Sequence, residues 1–567
     1  MAALFAFLLA GARPWLTAPV ASSHKTLFSS SVWTELDGIS IDDSEGKNRF
    51  PMYWYGAAVT SCVLCLALAT GLSPRRRENE SGKRSRSGIA AYLRKHLKSW
   101  EYMISGPDVI QTGYDKSNGK PYEVVTPDTR LVFVSSPEQI DELNKVPDSI
   151  LSLQAAANKM LQPRYTMHGF SWFDQRGTEG IGFERALRTL LTNHLPFIIP
   201  ELGRVVRIHF SELQQQQPLV NGERQTRVYP MMKKLVVLAN AYSFLGDELY
   251  KNEAFRAAAL TFVDQTIYGA EFMRILPNAL KPIAGAIMER YFHCDQKVFD
   301  ALLPHVEQRL QERDMRKKGS DIPVRNDCIE WIIETSPKKN PWSAQRVVWE
   351  ILAIWFGSVH SLSITASNAI FNLCQHPEYV APLRAELDSD YADFLGTGDG
   401  LPLLDSFLKE SARLSPVETM STRRAALKPY TFSDGTQLGE GDWAVTPVFA
   451  IMRDSRHYPN PLEFSGFRFV DPAILEKTFI PLDAQGSMQP EPSNFDTLDH
   501  TYKIWGTGRM ACMNSPGRVY ASAALKVIIG EIIIKYKCKL LDPEARTYMT
   551  WRSTMLPKSS TTVVFST

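Results

Sequence analysis

The sequence has almost no net charge and few cysteines. Lysine and arginine number 63 against 61 aspartates and glutamates, so the chain lacks the basic field with which nucleic-acid-binding proteins attract phosphates. No nucleic-acid partner is expected. The seven cysteines are odd in number and widely scattered, which argues against a disulfide framework and for reduced thiols in a reducing compartment.

The sequence also lacks a long Gly/Ser-rich or Pro-rich linker between about residue 90 and its end. A hydrophobic content of 44% supplies enough apolar surface for one large core. We therefore predict a single domain over residues 90–567. Helical patterns fill most of 180–420 and short strand patterns stand at both ends, which predicts a mainly α fold with small β-sheets.

One segment near the N-terminus has the composition of a membrane span. Residues 53–72 contain no charged side chain, begin with the aromatic residues Tyr53, Trp54 and Tyr55, and are followed by arginines and lysines. Twenty apolar residues cross a bilayer as a helix, and the basic side stays in the cytosol. We predict a single transmembrane helix at 53–72, a basic linker at 73–89 and a large C-terminal domain in the cytosol. A buried core helix is the alternative, and residues 1–52 stay unassigned.

The segment around Cys512 favours a reactive thiolate. Gly506 and Gly508 precede the cysteine and an apolar helix is predicted from Arg518 onward. Glycines permit a tight loop whose N–H groups point at sulfur, and the positive end of the following helix lowers a thiol pKa. A buried cysteine without chemistry is the alternative for any isolated cysteine.

This loop resembles the cysteine loop of cytochromes P450. The resemblance implies that Cys512 is the axial ligand of haem b, with Gly508 and Arg509 in the loop that receives it. Trp505 stands where the family usually has Phe, and Met510 stands where Arg or His commonly helps to hold a haem propionate. The sequence Cys-Met-Asn-Ser-Pro-Gly-Arg is three residues longer than the usual Cys-Pro-Gly-Arg.

A second resemblance lies upstream of the loop. Glu410 and Arg413, three residues apart on one helical face, match the family's Glu-x-x-Arg, and Arg468 lies in a segment similar to its arginine-bearing meander. The resemblance implies a buried Glu-Arg-Arg cluster behind the cysteine loop. A surface salt bridge is the alternative reading of the pair Glu410 and Arg413 taken alone.

The predicted long buried helix over 349–374 carries the family's oxygen-activation positions. His360 and Ser361 stand where the family usually has an acid and an alcohol that deliver protons, and Ser363 and Thr365 are reserve hydroxyls. A core histidine bonded to a backbone carbonyl is the alternative for His360.

Three arginines resemble the basic residues that pair with haem propionates. The first is Arg188, for which an exposed helical arginine is the alternative. Arg423 or Arg424, which follow the Glu-x-x-Arg helix, could have the same role.

By resemblance, the chain is a fungal, membrane-anchored monooxygenase of secondary metabolism. It would insert one oxygen atom of O₂ into a lipophilic small molecule, a terpenoid or prenylated alkaloid, with electrons from an NADPH-cytochrome P450 reductase and with cytochrome b5 as a further partner. The implied location is the endoplasmic reticulum membrane. A haem-thiolate isomerase or dehydratase that needs no external electrons stays open, because the usual acid-threonine pair is missing. A non-catalytic haem-binding relative also stays open, because the cysteine loop is altered.

Overall fold

The computed structural model describes residues 86–170, 183, 186–477, 491–499, 501–506 and 517–567. The segment 1–52, the predicted span at 53–72, the linker up to residue 85, and the loop residues Gly508, Arg509 and Cys512 lie outside the described residues. Met1–Leu97 and Lys98–Thr567 are two separate units, of which the second is compact and holds the elements discussed below.

Helices make up most of the described chain. They are α1 (Arg86–Ser117), α2 (Pro137–Lys145), α3 (Leu153–Leu161), α4 (Pro163–Thr166), α5 (Thr192–Gln215), α6 (Val228–Leu245), α7 (Asp247–Lys251), α8 (Glu253–Ile275), α9 (Lys281–Tyr291), α10 (Cys294–Lys317), α11 (Cys328–Thr335), α12 (Ala344–Gln375), α13 (Val380–Thr397), α14 (Pro402–Leu414), α15 (Val448–Ile451), α16 (Pro472–Lys477) and α17 (Arg518–Lys535). A π-helical turn, Ala186–Leu191, leads into α5, and a 3₁₀ turn, Pro377–Tyr379, follows α12.

The described strands are short and form four small sheets. They are β1 (Tyr122–Val125), β2 (Arg130–Phe133), β3 (Leu151–Ser152), β4 (Leu219–Val220), β5 (Glu223–Arg227), β6 (Ser421–Ala426), β7 (Tyr430–Thr431), β8 (Gln437–Leu438), β9 (Trp443–Thr446), β10 (Lys537–Leu540), β11 (Tyr548–Trp551), β12 (Thr554–Pro557) and β13 (Thr562–Ser566). The orders are β1-β2-β9-β6-β3, β10-β13-β5-β4, β11-β12 and β7-β8. The predicted mainly α fold with small sheets is therefore confirmed.

Local signals set several of these elements. Ser136 caps α2 by accepting a hydrogen bond from the Gln139 N–H, and Pro137 occupies the first helical position, where a missing N–H costs nothing. The Asp434-Gly435 turn joins β7 to β8, with Gly435 at φ +88°. The hairpin β4–β5 was not predicted. It interrupts a region that the sequence marks as helical and pairs with the C-terminal strand β13.

The long apolar helix lies at the centre of the core, as its sequence predicts. Ser343 caps α12 by accepting a hydrogen bond from the Arg346 N–H, and the helix packs against α6, α8, α10, α14 and α17. Among the residues that the structure describes, α12 is also the one helix with the length and mean hydropathy (1.5) of a membrane span, but 61% of that window is buried. Its apolar character therefore reflects burial within the domain.

Candidate active site

Glu410, Arg413 and Arg468 lie together in a buried cluster. Arg413 Nε donates to Glu410 Oε2 at 2.7 Å, and Arg468 Nε donates to Glu410 Oε1 at 3.1 Å. The exposed fractions of the three residues are 0%, 0% and 5%, so the pair on α14 is not a surface salt bridge. Charge-assisted bonds of this kind hold planar guanidinium groups in one orientation.

The same two arginines also fix the chain between α15 and α16. Arg413 Nη1 donates to the carbonyl oxygens of Met452 and Pro461 at 2.6 and 2.7 Å. Arg468 Nη1 donates to the Pro459 carbonyl at 2.7 Å. The cluster is thus the attachment point of an irregular segment that has few ladder hydrogen bonds of its own.

The described ends of the cysteine loop are anchored to the segment before it. Trp505 Nε1 donates to the Phe495 carbonyl at 2.6 Å, and Arg518 Nε donates to the Asp496 carbonyl at 3.0 Å. Gly506 has φ +87°, a conformation that favours glycine. Helix α17 begins at Arg518, so its N-terminus follows the predicted ligand Cys512 along the chain.

Helix α12 is buried on most faces but has one open face. Gly357 and Ser361 are exposed and Thr365 is partly exposed, although residues 362–364 and 366–373 are buried. A Cβ atom at Gly357 would meet nothing within 4 Å. Because positions four apart share one helical face, this stripe borders an open space beside the core.

The hydroxyl groups of α12 differ in their availability. Ser363 is buried and its hydroxyl donates to the Val359 carbonyl at 2.6 Å, so it is not on the open face. The Thr365 hydroxyl donates to the Ser361 carbonyl at 2.9 Å. Ser361 is exposed on the open face itself, which leaves it the best placed of the predicted hydroxyls.

His360 is partly buried beside this face. Its Nδ1 is buried without a hydrogen-bond partner among the described residues, and its ring stacks on Phe356 with centroids 6.5 Å apart. Desolvation lowers the pKa of His360 to about 4, with the charges of Asp264, Lys233 and Glu418 as smaller influences. The imidazole is therefore neutral near pH 7.

The three arginines predicted to meet haem propionates have different surroundings. Arg188 is exposed on the π-helical turn. Arg423 pairs with Glu418, and its buried Nε has no partner among the described atoms. Arg424 is 1% exposed, with a buried Nη2 that likewise has none, and burial lowers its pKa to about 10. A bound carboxylate could accept hydrogen bonds from these two unpaired nitrogen atoms.

A ring of four charged side chains, which no sequence motif predicts, lies at the tip of the β11–β12 hairpin. Arg274 Nη2 lies 2.9 Å from Asp128 Oδ2, and Asp128 Oδ1 lies 2.7 Å from Arg552 Nη1. Arg552 Nε lies 2.6 Å from Glu271 Oε2, and Glu271 Oε1 lies 2.7 Å from Arg274 Nη1. The four side chains are 5% to 9% exposed. The ring joins the β1–β2 turn, the end of α8 and the hairpin tip.

The other side of the hairpin tip is held by Glu418. Its carboxylate accepts hydrogen bonds from Ser553 Oγ at 2.7 Å and Thr554 Oγ1 at 2.6 Å, and it also pairs with Arg423. Strand β12 packs against α12. The hairpin tip is therefore fixed from both sides, between α8 and the helix with the open face.

Comparison with known proteins identifies the family. Residues 184–565 match the family model described as Cytochrome P450. The chain is 27% identical over 487 residues to cytochrome P450 monooxygenase 151 of Postia placenta, covering 84% of this chain and 92% of that protein. It is 26% identical over 450 residues to cytochrome P450 monooxygenase paxP of Penicillium paxilli, covering 76% of this chain and 80% of that protein.

Solved structures share the fold at low sequence identity. The retinoic acid-bound cyanobacterial CYP120A1 matches with a TM-score of 0.56 at 17% identity, covering 82% of this chain and 97% of that one. The cytochrome P450DA heme domain matches with a TM-score of 0.58 at 14% identity, covering 83% and 95%.

The described residues fit the family's cofactor, a haem whose iron binds a cysteine thiolate. The exposed Gly357 leaves room beside α12, and the orphaned donors of Arg423 and Arg424 suit carboxylate groups such as the haem propionates. The buried Glu410 cluster holds the segment that leads to the cysteine loop. The chain therefore belongs to the cytochrome P450 family, and it is a haem-dependent monooxygenase.

Proposed function

We propose that the protein inserts one oxygen atom of O₂ into a lipophilic small molecule, a terpenoid or prenylated alkaloid of fungal secondary metabolism. Electrons would come from an NADPH-cytochrome P450 reductase, with cytochrome b5 as a further donor. The open face of α12 carries this proposal, because it places Ser361 and a small glycine beside a space next to the core. Fungal monooxygenases such as paxP and janP of Penicillium are among the relatives, which supports the assignment to fungal metabolism.

Cys512 is the proposed axial ligand of the haem iron, in a loop with Gly508 and Arg509. When bound, the haem supplies the activation of dioxygen, which the thiolate favours by donating electron density to iron. The chain's own part is to hold the ligand loop still. The buried cluster of Glu410, Arg413 and Arg468 does this through hydrogen bonds that hold the segment 452–468 against α14.

Ser361 and His360 are the proposed proton relay. The Ser361 hydroxyl lies on the open face of α12, where it can donate a proton into the space beside the helix and accept one in return. His360 is neutral near pH 7, so it passes protons by accepting one at a ring nitrogen while releasing one from the other, with no lasting positive charge.

Arg188, with Arg423 or Arg424, is proposed to bind the haem propionates. Arg188 is exposed with its charge available, and Arg423 and Arg424 each keep one buried donor atom without a partner among the described residues. Because Glu418 already compensates the charge of Arg423, that arginine would contribute chiefly a positioned hydrogen bond.

The proposed location is the endoplasmic reticulum membrane, with a single span at residues 53–72 and the catalytic domain in the cytosol. The support is the uncharged segment and the basic residues after it. A membrane-bound enzyme meets apolar substrates that partition into lipid, which agrees with the proposed substrate class.

The test is oxygen incorporation by the full chain in microsomes that contain the reductase. Metabolites that accumulate when the gene is deleted from its host serve as substrates, and ¹⁸O₂ replaces air. We expect an NADPH-dependent product that carries one labelled oxygen atom and is absent with Cys512→Ala. Products formed equally without NADPH would favour an isomerase or dehydratase. Absence of any product with every accumulated metabolite would contradict the proposed substrate class.

A further inference from the structure

Two free thiols meet where the end of α12 packs on the C-terminal sheet. Among the residues that the structure describes, the free cysteines are Cys294, Cys328, Cys374 and Cys538. The Cys374 thiol donates a hydrogen bond to the Cys538 sulfur, and α12 packs directly against β10, the strand that carries Cys538. These two cysteines are therefore neighbours in space although they are far apart in the sequence.

Both sulfurs are carried by backbone that other contacts hold in place. Asn372, in the last turn of α12, donates from Nδ2 to the Ser411 hydroxyl oxygen on α14 at 2.7 Å. Arg384 Nη2 donates to the Ile533 carbonyl at 2.8 Å and to the Tyr536 carbonyl at 3.3 Å, which fixes the passage from α17 into β10. The two thiols are thus held together before any bond forms, and this gives a reaction between them a high effective concentration.

A small solute can reach both thiols from solvent. Cys374 and Cys538 are partly exposed, whereas Cys328 is fully buried. Strand β10 lies at the edge of its sheet, and Lys537 and Lys539, the sequence neighbours of Cys538, are exposed. Exposure is one of the conditions under which peroxide oxidises a cysteine, so this pair meets a condition that Cys328 does not.

The hydrogen bond gives the two sulfurs different roles. It is the main cause that raises the pKa of Cys374, and burial adds to it, so Cys374 keeps its proton. The place of Cys374 in the last turn of α12 acts in the same direction, because the negative end of a helix disfavours a thiolate. Cys538 accepts the hydrogen bond, and it is therefore the sulfur that reacts first as a nucleophile.

We propose that Cys374 and Cys538 are a peroxide-reactive dithiol that closes into a disulfide and fastens the end of α12 to the C-terminal sheet. The Cys538 thiolate attacks one oxygen of hydrogen peroxide, the O–O bond breaks, and the sulfur becomes a sulfenic acid while the other oxygen leaves as water. The Cys374 sulfur then attacks the Cys538 sulfur and loses its proton, and the sulfenic oxygen leaves as a second water. Two thiols are oxidised to one disulfide, and one peroxide is reduced to two water molecules.

The enzyme itself is a source of the oxidant. Hydrogen peroxide is the two-electron reduction product of O₂, so a monooxygenase forms it when the reduction of O₂ is not followed by oxygen transfer to a substrate. The disulfide would close a loop of more than one hundred residues, and a cross-link of this kind restricts the unfolded chain. The protein would therefore become harder to unfold under the conditions in which it releases peroxide.

The test treats the haem-loaded full chain with an equimolar amount of hydrogen peroxide, alkylates the remaining thiols, and maps the peptides by mass spectrometry. Added peroxide makes the test independent of the substrate and of the electron donor. We expect one peptide pair linked through Cys374 and Cys538, which dithiothreitol separates. At the urea midpoint of the reduced protein, the ratio of unfolded to folded protein should be about tenfold lower, or lower still, after oxidation. Cys294→Ser removes a partly exposed cysteine outside the pair and should form the same cross-link.

Two serine variants test the order of the steps in the presence of dimedone, which traps sulfenic acids. In Cys374→Ser, Cys538 should be labelled, because the thiol that would displace the sulfenic oxygen is missing. In Cys538→Ser, Cys374 should be labelled much less. The cross-link itself is measured in the wild-type chain, so the proposal stays testable if either variant fails to fold.

The proposal is overturned if Cys374 and Cys538 are still alkylated after peroxide has oxidised Cys294. A disulfide that forms between two chains, or with other cysteines to the same extent, would overturn it as well. An unchanged urea midpoint in the cross-linked protein would contradict the fastening of α12 to the sheet. Equal labelling by dimedone in the two serine variants would contradict the assignment of Cys538 as the nucleophile.

Discussion

Replacing Glu410 by alanine removes the one carboxylate that joins two buried arginines. Glu410 accepts two hydrogen bonds from Arg413, one from Arg468 and one from the Ser465 N–H. After the substitution, both guanidinium groups stay buried without a counter-charge. They keep backbone carbonyl acceptors such as those of Met452 and Pro459, which limits the loss.

The expected cost is about 3 to 5 kcal/mol of the free energy of unfolding, the usual penalty for one buried charge left unpaired. Domains of ordinary stability have about 5 to 15 kcal/mol in total, so the variant folds but is marginal. Because the cluster holds the chain that leads to the cysteine loop, we expect haem content to fall with stability. Glu410→Gln keeps the acceptor oxygen but loses the charge, and should lie between wild type and Glu410→Ala.

The assay is the ratio of Soret absorbance to protein absorbance in purified protein, together with urea unfolding. A matched control is Glu201→Ala, which removes the carboxylate of an exposed i,i+3 pair with Arg204 on α5. That variant should load haem normally. If Glu410→Ala also kept normal haem content and unfolded at the wild-type urea midpoint, the cluster would not have the role assigned to it.

Three further predictions concern the ligand and the relay. Reduced protein with carbon monoxide should show the red-shifted Soret band of a thiolate adduct, and Cys512→Ala should abolish the band while Cys374→Ala and Cys538→Ala keep it. Ser361→Ala should lower the amount of product per NADPH consumed and raise the yield of hydrogen peroxide without changing haem content, since loss of a positioned proton donor slows its step by about 10²- to 10⁴-fold. A wild-type ratio of product to NADPH in both Ser361→Ala and His360→Ala would refute the relay. Because the pKa of His360 is lowered to about 4, the rate of product formation should show no inflection from this residue between pH 6 and 7, and a pH dependence near 6.5 that disappears in His360→Phe would contradict this. The free energy of unfolding should decrease as the pH falls from about 6.5 toward 4, because the unfolded chain then binds a proton at His360 that the folded protein does not.

Local sequence patterns predicted much of the fold because their causes are local. The apolar run over 349–374 has no polar face, which predicts a buried helix, and in the structure these residues lie within α12. The helix start at Ser136-Pro137 and the turn at Asp434-Gly435 likewise depend only on a few neighbouring residues, so a local sequence signal is enough to set each of them. The hairpin β4–β5 was missed although Asn221-Gly222 is a turn signal, because its strands are short and polar and gain their partner only from β13, more than three hundred residues later.

The candidate site was also predicted in part from sequence motifs and decided in part by tertiary packing. The order of the motifs predicted that Glu410, Arg413 and Arg468 form a cluster, and the structure brings these three residues together. The roles of Cys512, Gly508 and Arg509 stay predictions, since those residues lie outside the described part of the chain. Sequence alone placed histidine and serine at 360 and 361, whereas tertiary packing decided that Ser361 is open, that Ser363 is buried and that His360 is neutral.

Sequence by itself determined the helix-rich class, the order of the motifs and the residue types available for chemistry, because these follow from composition and short-range periodicity. Only the tertiary structure decided which charges meet. Asp128 and Arg552 are separated by 424 positions and yet share one hydrogen bond at 2.7 Å. Such a contact depends on how a turn, a helix end and a hairpin tip converge, and burial then sets whether a charge is paired, desolvated or left free for a ligand.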